Sequence, residues 1–489
     1  MPPLQVLNDS ISATQWSRLQ FYGNKIREIS LLQDGKLDAT VWLLVFFEAV
    51  GPLIPHLRRL DVSIKLPLYI PPLLFLSPSI SHLTVRLTKE PEITNQIAQP
   101  LAQDLLQQML KKAPNISTFI LQEFPIDLPV DIGPSLLTLR YLEDVDITTT
   151  AVSYEALRQL SLSSVCPRRL SIKAPQRLGR SSEVFEGDIG KGLSSTTYLH
   201  LHGDVADMPQ LLRAVPLPSL ETLVITPLPI ASLATFAEAA ANLSSTIARR
   251  TLRAVQLEVH LTHIVHDDGL PTVHVPLTNI LESLSCFAAL KSLVVDASRY
   301  ELYTVIDISD EDLRASTLAW PVLEELRIVQ SDKRVPHLDT WTRPTASALY
   351  DVARNWRALK SFTVPGLSLA EGLPEENEQW GAVLAADTAG PAHSLREIEL
   401  GHIAKETEWA TMKLALLLDA LFPRLGAVGP EQLGAGKDVM QWIWWPVSDG
   451  PPGQVPRIEN TSMAPSLSDI RWFFVAAVRA GRTGSIGEE

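Results

Sequence analysis

The densest set of side chains able to do chemistry in this chain lies within fifteen residues: His260, His263, His266, Asp267, Asp268 and His274. Imidazole and carboxylate together are a zinc-type donor set. The spacing argues against a closed site. His260 and His263 are three apart where the pattern reads as a strand end, which points them to opposite faces, and no HExxH helix accompanies them. The plain reading is a polar loop leaving a strand; the competing reading is a metal-binding protein or enzyme built on residues 260–274. Gly434-Ala435-Gly436-Lys437 imitates the end of a phosphate loop. The first glycine position of that motif is Glu431 here, and Asp438 stands where a hydroxyl should hold magnesium, so phosphate would meet carboxylates. There is no GxSxG elbow. Cys166, in Val165-Cys166-Pro167, reads as a small buried hydrophobe and not as a nucleophile. No catalytic residue, metal ligand or cofactor is assigned.

The elements around these residues follow a repeated phrase, Leu-x-x-Leu-x-Leu/Val/Ile. It occurs as Leu57-Arg58-Arg59-Leu60-Asp61-Val62, as Leu220-Glu221-Thr222-Leu223-Val224-Ile225 and as Leu323-Glu324-Glu325-Leu326-Arg327-Ile328. Aligned on its second leucine, the phrase places anchors at Leu60, Leu83, Phe119, Leu139, Leu170, Leu199, Leu223, Val255, Leu293, Leu326, Phe362, Ile398 and Val428. The mean step is about 31 residues, slightly longer than the roughly 20–29 of a leucine-rich repeat. Between the strand phrases lie stretches of helical period, such as Ile97, Leu101, Leu105, Met109 and Leu110 within residues 93–112. Strand, loop, helix, loop, strand is the grammar of parallel β/α winding. One unit cannot bury its own apolar face, but a stack of units can. The expected fold is therefore an α/β leucine-rich-repeat-like solenoid, a horseshoe with a parallel concave sheet and convex helices. Residues 1–50 are read as an N-terminal helical cap, 51–430 as the solenoid and 431–489 as a C-terminal cap with a helix near residues 466–480.

Composition restricts the partners. The chain has 489 residues and a net charge of -13, with 42 basic and 55 acidic side chains. Such a charge disfavours non-specific binding to nucleic acid or anionic membrane. The two cysteines, Cys166 and Cys286, imply a reducing compartment and no disulfide framework. The first residues lack the basic and apolar regions of a signal peptide, and the apolar run at 41–47 is too short to span a bilayer. Cytoplasmic or nuclear residence is the expectation, and the sequons at Asn8, Asn115, Asn242 and Asn460 read as chance matches.

The stretch Ala13-Thr14-Gln15-Trp16-Ser17-Arg18-Leu19-Gln20-Phe21-Tyr22, then Lys25-Ile26-Arg27-Glu28-Ile29, resembles the segment that follows the F-box in the fungal F-box/leucine-rich-repeat-like proteins. Leu57-Arg58-Arg59-Leu60 and Phe75-Leu76-Ser77-Pro78-Ser79-Ile80 are similar to the same family, and the resemblance runs along nearly the whole chain. It implies a substrate receptor of a ubiquitin ligase, with repeats that hold a protein for ubiquitination. The family's F-box opens on a Leu-Pro-x-Glu-Ile/Leu pattern, and residues 1–15 contain no such phrase. Contact with the cullin-ligase adaptor is therefore expected only if an F-box lies upstream.

Function then falls to the outward positions of the strands, between the buried leucines. The candidate partner-binding residues are Arg58, Arg59, Arg86, Arg140, Arg168, Arg169, Lys173, Tyr198, His200 and His202. Later units carry Glu221, Glu258, Glu324, Glu325, Glu397 and Glu399 among Lys291, Arg327, Lys360 and Arg396. One reading is a graded groove, basic first, for an acidic protein segment. The other is that these charges only keep the sheet face soluble.

Overall fold

The structure is a computed structural model. It describes residues 11–31, 52–66, 70–89, 92–122, 133–136, 138–151, 157, 160, 167–173, 193–203, 217–229, 250–260, 273–297, 304–330, 341–369, 373, 393–403, 408–422 and 425. The chain divides into two compact units, residues 1–262 and 263–489.

In the first unit, helix α1 (Ala13–Gly23) opens on a capping box: Ser12 Oγ accepts from Gln15 N at 3.3 Å, and Gln15 Oε1 accepts from Ser12 N at 2.9 Å. Among the described residues nine strands follow: β1 (Glu28–Leu31), β2 (Arg59–Leu66), β3 (His82–Lys89), β4 (Thr118–Gln122), β5 (Asp144–Ala151), β6 (Arg169–Lys173), β7 (Tyr198–His202), β8 (Thr222–Pro229) and β9 (Ala254–His260). Each pairs in parallel with the next in sequence. Parallel neighbours need a crossover at every step, and here spatial order equals chain order. That is one-dimensional winding. The crossovers include α2 (Ile70–Phe75), α3 (Asn95–Lys112) and α4 (Gly133–Leu136).

The cause is a three-point apolar pattern repeated in register. Leu60, Leu83, Phe119, Val145, Leu170, Leu199, Leu223 and Val255 are lateral partners and all buried. Three residues upstream, Leu57, Ile80, Ile116, Leu142, Leu220 and Leu252 are buried too; two downstream, Val62, Val85, Leu121, Ile147, Ile172, Leu201, Ile225 and Leu257 complete the stripe. Thr196 takes the upstream place in one repeat, where its hydroxyl donates to Pro167 O at 2.8 Å, so a buried polar group costs nothing unsatisfied.

Three features differ from the sequence reading. The anchor of the fourth repeat is Val145 and not Leu139, which sits six residues upstream in the turn that leads into β5. Leu139, Leu142 and Val145 are three apart and all buried, so the apolar spacing there matched equally well when slid by six. Second, the sheet begins inside the stretch read as a helical cap, because β1 pairs Ile29 with Leu60. On α3 the buried stripe is Ala98, Ala102, Leu105, Leu106 and Met109, whereas Ile97, counted above as apolar-side, is 57% exposed.

The second unit holds β10 (Val273–Pro276), α5 (Thr278–Leu284), β11 (Ser292–Ala297), β12 (Thr304–Asp307), α6 (Asp310–Ala319), β13 (Glu325–Gln330), α7 (Ala348–Asn355), β14 (Ser361–Leu367), β15 (Glu397–Ile403) and α8 (Glu408–Leu421). Strands β11, β13, β14 and β15 form a parallel ladder with Leu293, Leu326, Phe362 and Ile398 in register. Strands β10 and β12 form a separate parallel pair. Helix α6 starts at Ser309 with a capping box to Asp312 and places Asp310, Glu311 and Asp312 in its first turn, where carboxylates favour the helix dipole. Six residues before the anchors stand Phe287, Trp320 and Trp356, all fully buried. Trp320 Nε1 donates to Leu284 O at 3.2 Å, and Trp356 Nε1 donates to Trp320 O at 3.0 Å, stitching each turn to the one before.

Pro365 lies inside β14 without breaking it. Pairing with β13 stops at Thr363, before the proline that has no N–H to offer. On the other side stands Gly401, where any Cβ would strike Pro365 O. Each unit is thus an α/β leucine-rich-repeat-like solenoid. The expected C-terminal cap, 431–489, lies outside the described residues, as do the expected anchor at Val428 and Cys166. Among the described residues no helix is long and apolar enough to cross a membrane.

Candidate functional site

Alternation along each strand sends one set of side chains to the core and the other to the opposite side of the sheet. On β2 the core set is Leu60, Val62, Ile64 and Leu66, and the other is Arg59, Asp61, Ser63 and Lys65. Parallel register lines these up in rows across the first unit. Arg59, His82, Asp144, Arg169, Tyr198 and Thr222 fall in one row, and Asp61, Asp146, Ser171, His200 and Gln256 in the next. A third holds Ser63 and Arg86 and, further along, Lys173, His202 and Thr226.

Seven of the ten predicted residues lie on this face: Arg59, Arg86, Arg169, Lys173, Tyr198, His200 and His202. Arg58 and Arg168 occupy the rim, one residue before their strands, with peptide groups already used: Arg58 O accepts from Ser81 N at 2.9 Å and Arg168 O from Thr197 N at 2.9 Å. Arg140 is off the strand, exposed in the turn between Leu139 and Leu142. In its place the register brings Asp144 and Asp146 onto the face. The alternation Asp144-Val145-Asp146-Ile147-Thr148 was the available signal, masked by the three-residue spacing upstream.

These carboxylates change the electrostatics. Asp144 is the lateral partner of Arg169, and Arg86 lies 3.6 Å from Asp61 while its Nε donates to Gln122 Oε1 at 3.0 Å. Opposite charges therefore pair on the face, Asp61 with Arg86 near its beginning and Asp144 with Arg169 at its middle, and the middle forms no uniform basic groove.

At the centre is a cluster of half-buried side chains under an exposed arginine. The Arg169 guanidinium stacks 4.6 Å from the Tyr198 ring centroid, a contact worth about 0.5–1 kcal/mol at an exposed site. Burial raises the Tyr198 phenol above its usual range, with Asp146 and Glu258 adding to the rise and Arg169 opposing it. His200 Nε2 lies 2.6 Å from Thr226 Oγ1, and His202 Nδ1 is 3.5 Å from the same hydroxyl. Burial lowers the His200 imidazole against the pull of Asp146 and Glu258. Tyr198 and His200 are accordingly neutral, hydrogen-bonding and aromatic, flanked by charges of both signs.

The His200–Thr226 pair imitates a base and nucleophile, but β6, β7 and β8 pair in register around it, which commits backbone N–H groups there to the parallel ladders and not to an oxyanion. Of the histidine cluster, His260 ends β9 and His274 lies in β10, in different units, while His263, His266, Asp267 and Asp268 lie outside the described residues. Among the described residues no group of three or more His, Cys, Asp or Glu could hold a metal ion.

The class that this winding defines is the leucine-rich-repeat-like solenoid, seen in the parallel strands in chain order and the three-point leucine register. No protein-family model matches the sequence, and no curated protein matches it. Among solved structures, the crystal structure of an internalin from Listeria monocytogenes is similar over 81% of this chain and 87% of that chain, at 11% identity and a TM-score of 0.31.

Proposed function

We propose that this chain is a non-enzymatic protein-binding scaffold whose working surface is the solvent-facing side of the sheet in the first unit. The observation that carries this is the Arg169–Tyr198–His200 cluster. A regular sheet face needs only small polar or charged side chains to stay soluble. Here a half-buried aromatic ring and a half-buried neutral imidazole are gathered at its middle, with an exposed guanidinium stacked on the ring, the chemistry that dominates protein-recognition hot spots. The neighbouring strands supply a mixed polar surround, as the rim of such a patch requires. The resemblance to F-box/leucine-rich-repeat-like proteins supports the finer reading of a ubiquitin-ligase substrate receptor, with adaptor contact dependent on an F-box upstream. Cytoplasmic or nuclear residence is part of that finer reading.

The test is affinity capture with the intact chain and with Arg169→Ala/Tyr198→Ala/His200→Ala, each captured protein then re-bound in purified form. A partner that binds the parent chain and loses about tenfold or more in affinity with the triple variant supports the proposal. Equal binding by both moves the working surface elsewhere. The ligase branch is tested separately, by pull-down of the cullin adaptor with this chain and with a version extended upstream in its gene. Failure of both removes that branch.

A further inference from the structure

The middle of the face is charge-balanced, but its beginning is not. Across the described residues from 11 to 88, Arg18, Lys25, Arg27, Arg58, Arg59, Lys65 and Arg86 stand against only Glu28 and Asp61, within a chain of net charge -13. Asp61 is engaged by Arg86. The backbone concentrates part of this charge at one rim. Arg58 N and Arg59 N both donate to Arg27 O, at 2.7 and 3.0 Å, which brings three arginines together where β1 and β2 begin, with Glu28 as the lateral partner of Arg59. Arg27, Arg58 and Arg59 are all exposed. The Arg27 guanidinium folds back to Asn24 O at 2.7 Å, tying this rim to the end of α1.

That end of α1 carries a second unexplained feature. Phe21 and Tyr22 are 56% and 57% exposed, stacked edge to face at 5.4 Å, with Lys25 Nζ 4.0 Å above the Phe21 ring. Gly23 beside them is buried, its Cβ position 2.5 Å from Leu53 O, so the helix end is seated while its two aromatic rings face outward. Two adjacent exposed aromatics next to a guanidinium row have the composition of an interface core and not of a solvated helix.

We infer that the rim formed by Phe21, Tyr22, Lys25, Arg27, Arg58 and Arg59 docks a short acidic protein segment bearing an apolar anchor, its carboxylates on the arginines and its anchor on the aromatic pair. Charge complementarity selects the occupant. Guanidinium forks pair with carboxylates bidentately, and the two aromatics give an apolar group somewhere to go. A nucleic-acid strand fits less well, because the arginine row spans only about 5 Å between β1 and β2 and the rest of the chain repels a polyanion. The rim shares no residue with the Arg169–Tyr198–His200 cluster, so either surface can fail without the other.

The experiment uses the full chain and a short fluorescein-labelled peptide of alternating Glu and Phe, read by fluorescence anisotropy at low and physiological salt. Its Gln-for-Glu counterpart, a single-stranded RNA oligonucleotide and phosphatidylserine vesicles serve as competitors. The acidic peptide should bind, weaken with salt and outcompete the other three. Arg27→Glu/Arg58→Glu/Arg59→Glu should lose about tenfold or more in affinity, Arg-to-Gln at the same positions less, and Phe21→Ala/Tyr22→Ala should weaken binding with no change in salt dependence. Arg169→Ala/Tyr198→Ala/His200→Ala should bind the peptide like the parent. No binding, equal binding of the Gln peptide, indifference to charge reversal, or tighter binding of RNA or vesicles would each overturn the inference.

Discussion

Replacing Trp356 tests how one turn of the second unit is held to the next. Its indole is fully buried, and Nε1 donates to Trp320 O at 3.0 Å. That carbonyl also accepts from Leu323 N at 3.1 Å. Trp356→Phe therefore deletes one bond but leaves its acceptor with another, so the full penalty of an orphaned buried carbonyl is not incurred. The lost bond is worth about 1 kcal/mol, and the missing part of the ring adds roughly another from lost packing. The expected total is about 2 kcal/mol. Trp356→Ala empties the site and should cost about 3–5 kcal/mol. Trp320→Phe is the control for direction: it breaks the bond to Leu284 O but keeps the backbone carbonyl that Trp356 uses. Urea unfolding followed by circular dichroism and tryptophan fluorescence measures the change. A loss below about 0.5 kcal/mol for Trp356→Phe, within the range of neutral surface changes, would refute the stitched-turn account.

Three further outcomes follow from the geometry. His393 is buried, accepts from Leu395 N through Nδ1 at 3.0 Å and packs edge to face on Phe422 at 4.9 Å; burial lowers its pKa. A folded pKa below the unfolded value of about 6.5 means stability is complete above that pH and declines as pH falls below it, and His393→Phe should flatten this decline in urea midpoints measured against pH. Glu324 is held down to about 2 by hydrogen bonds from Lys291 and Lys360; Lys291→Ala/Lys360→Ala should return its carboxyl toward the ordinary range in an NMR titration. The associated stability is small because all three groups are solvent-accessible, below about 1 kcal/mol, and it is lost as pH falls from the unfolded carboxylate value toward 2. Gly401→Ala drives a methyl into Pro365 O, and should cost about 1–3 kcal/mol by forcing β14 and β15 apart; an unchanged urea midpoint would show that the strands separate freely.

Much of the winding was legible because each repeat writes its own burial pattern locally. Leu57, Leu60 and Val62, or Leu323, Leu326 and Ile328, show the same three-point spacing in any copy, and period-two alternation marks the strand that follows. Most candidate face residues were legible for the same reason: Tyr198, His200 and His202 alternate with Leu199 and Leu201. What misled was the turn before β5, where Leu139, Leu142 and Val145 repeat every three residues and two alignments are equally apolar. The slip exchanged Arg140 for Asp144 and Asp146 and made the face read as more basic than it is. The brief β1 was missed as part of the sheet because four residues, Glu28-Ile29-Ser30-Leu31, carry too little periodicity to distinguish a strand from a helix end.

The chain by itself determined that it winds as parallel strand-and-helix repeats, since alternation and leucine spacing are properties of neighbours in sequence. Only the tertiary structure decided which outward side chains stand beside one another. Lateral neighbours on this sheet are separated by one whole repeat, and repeats here differ in length, so register is set by how the buried leucines of adjacent turns interlock. That interlocking placed Arg169 against Tyr198, His200 against Thr226 and Arg27 beside Arg58 and Arg59, and so separated a balanced, aromatic centre from a basic, aromatic rim.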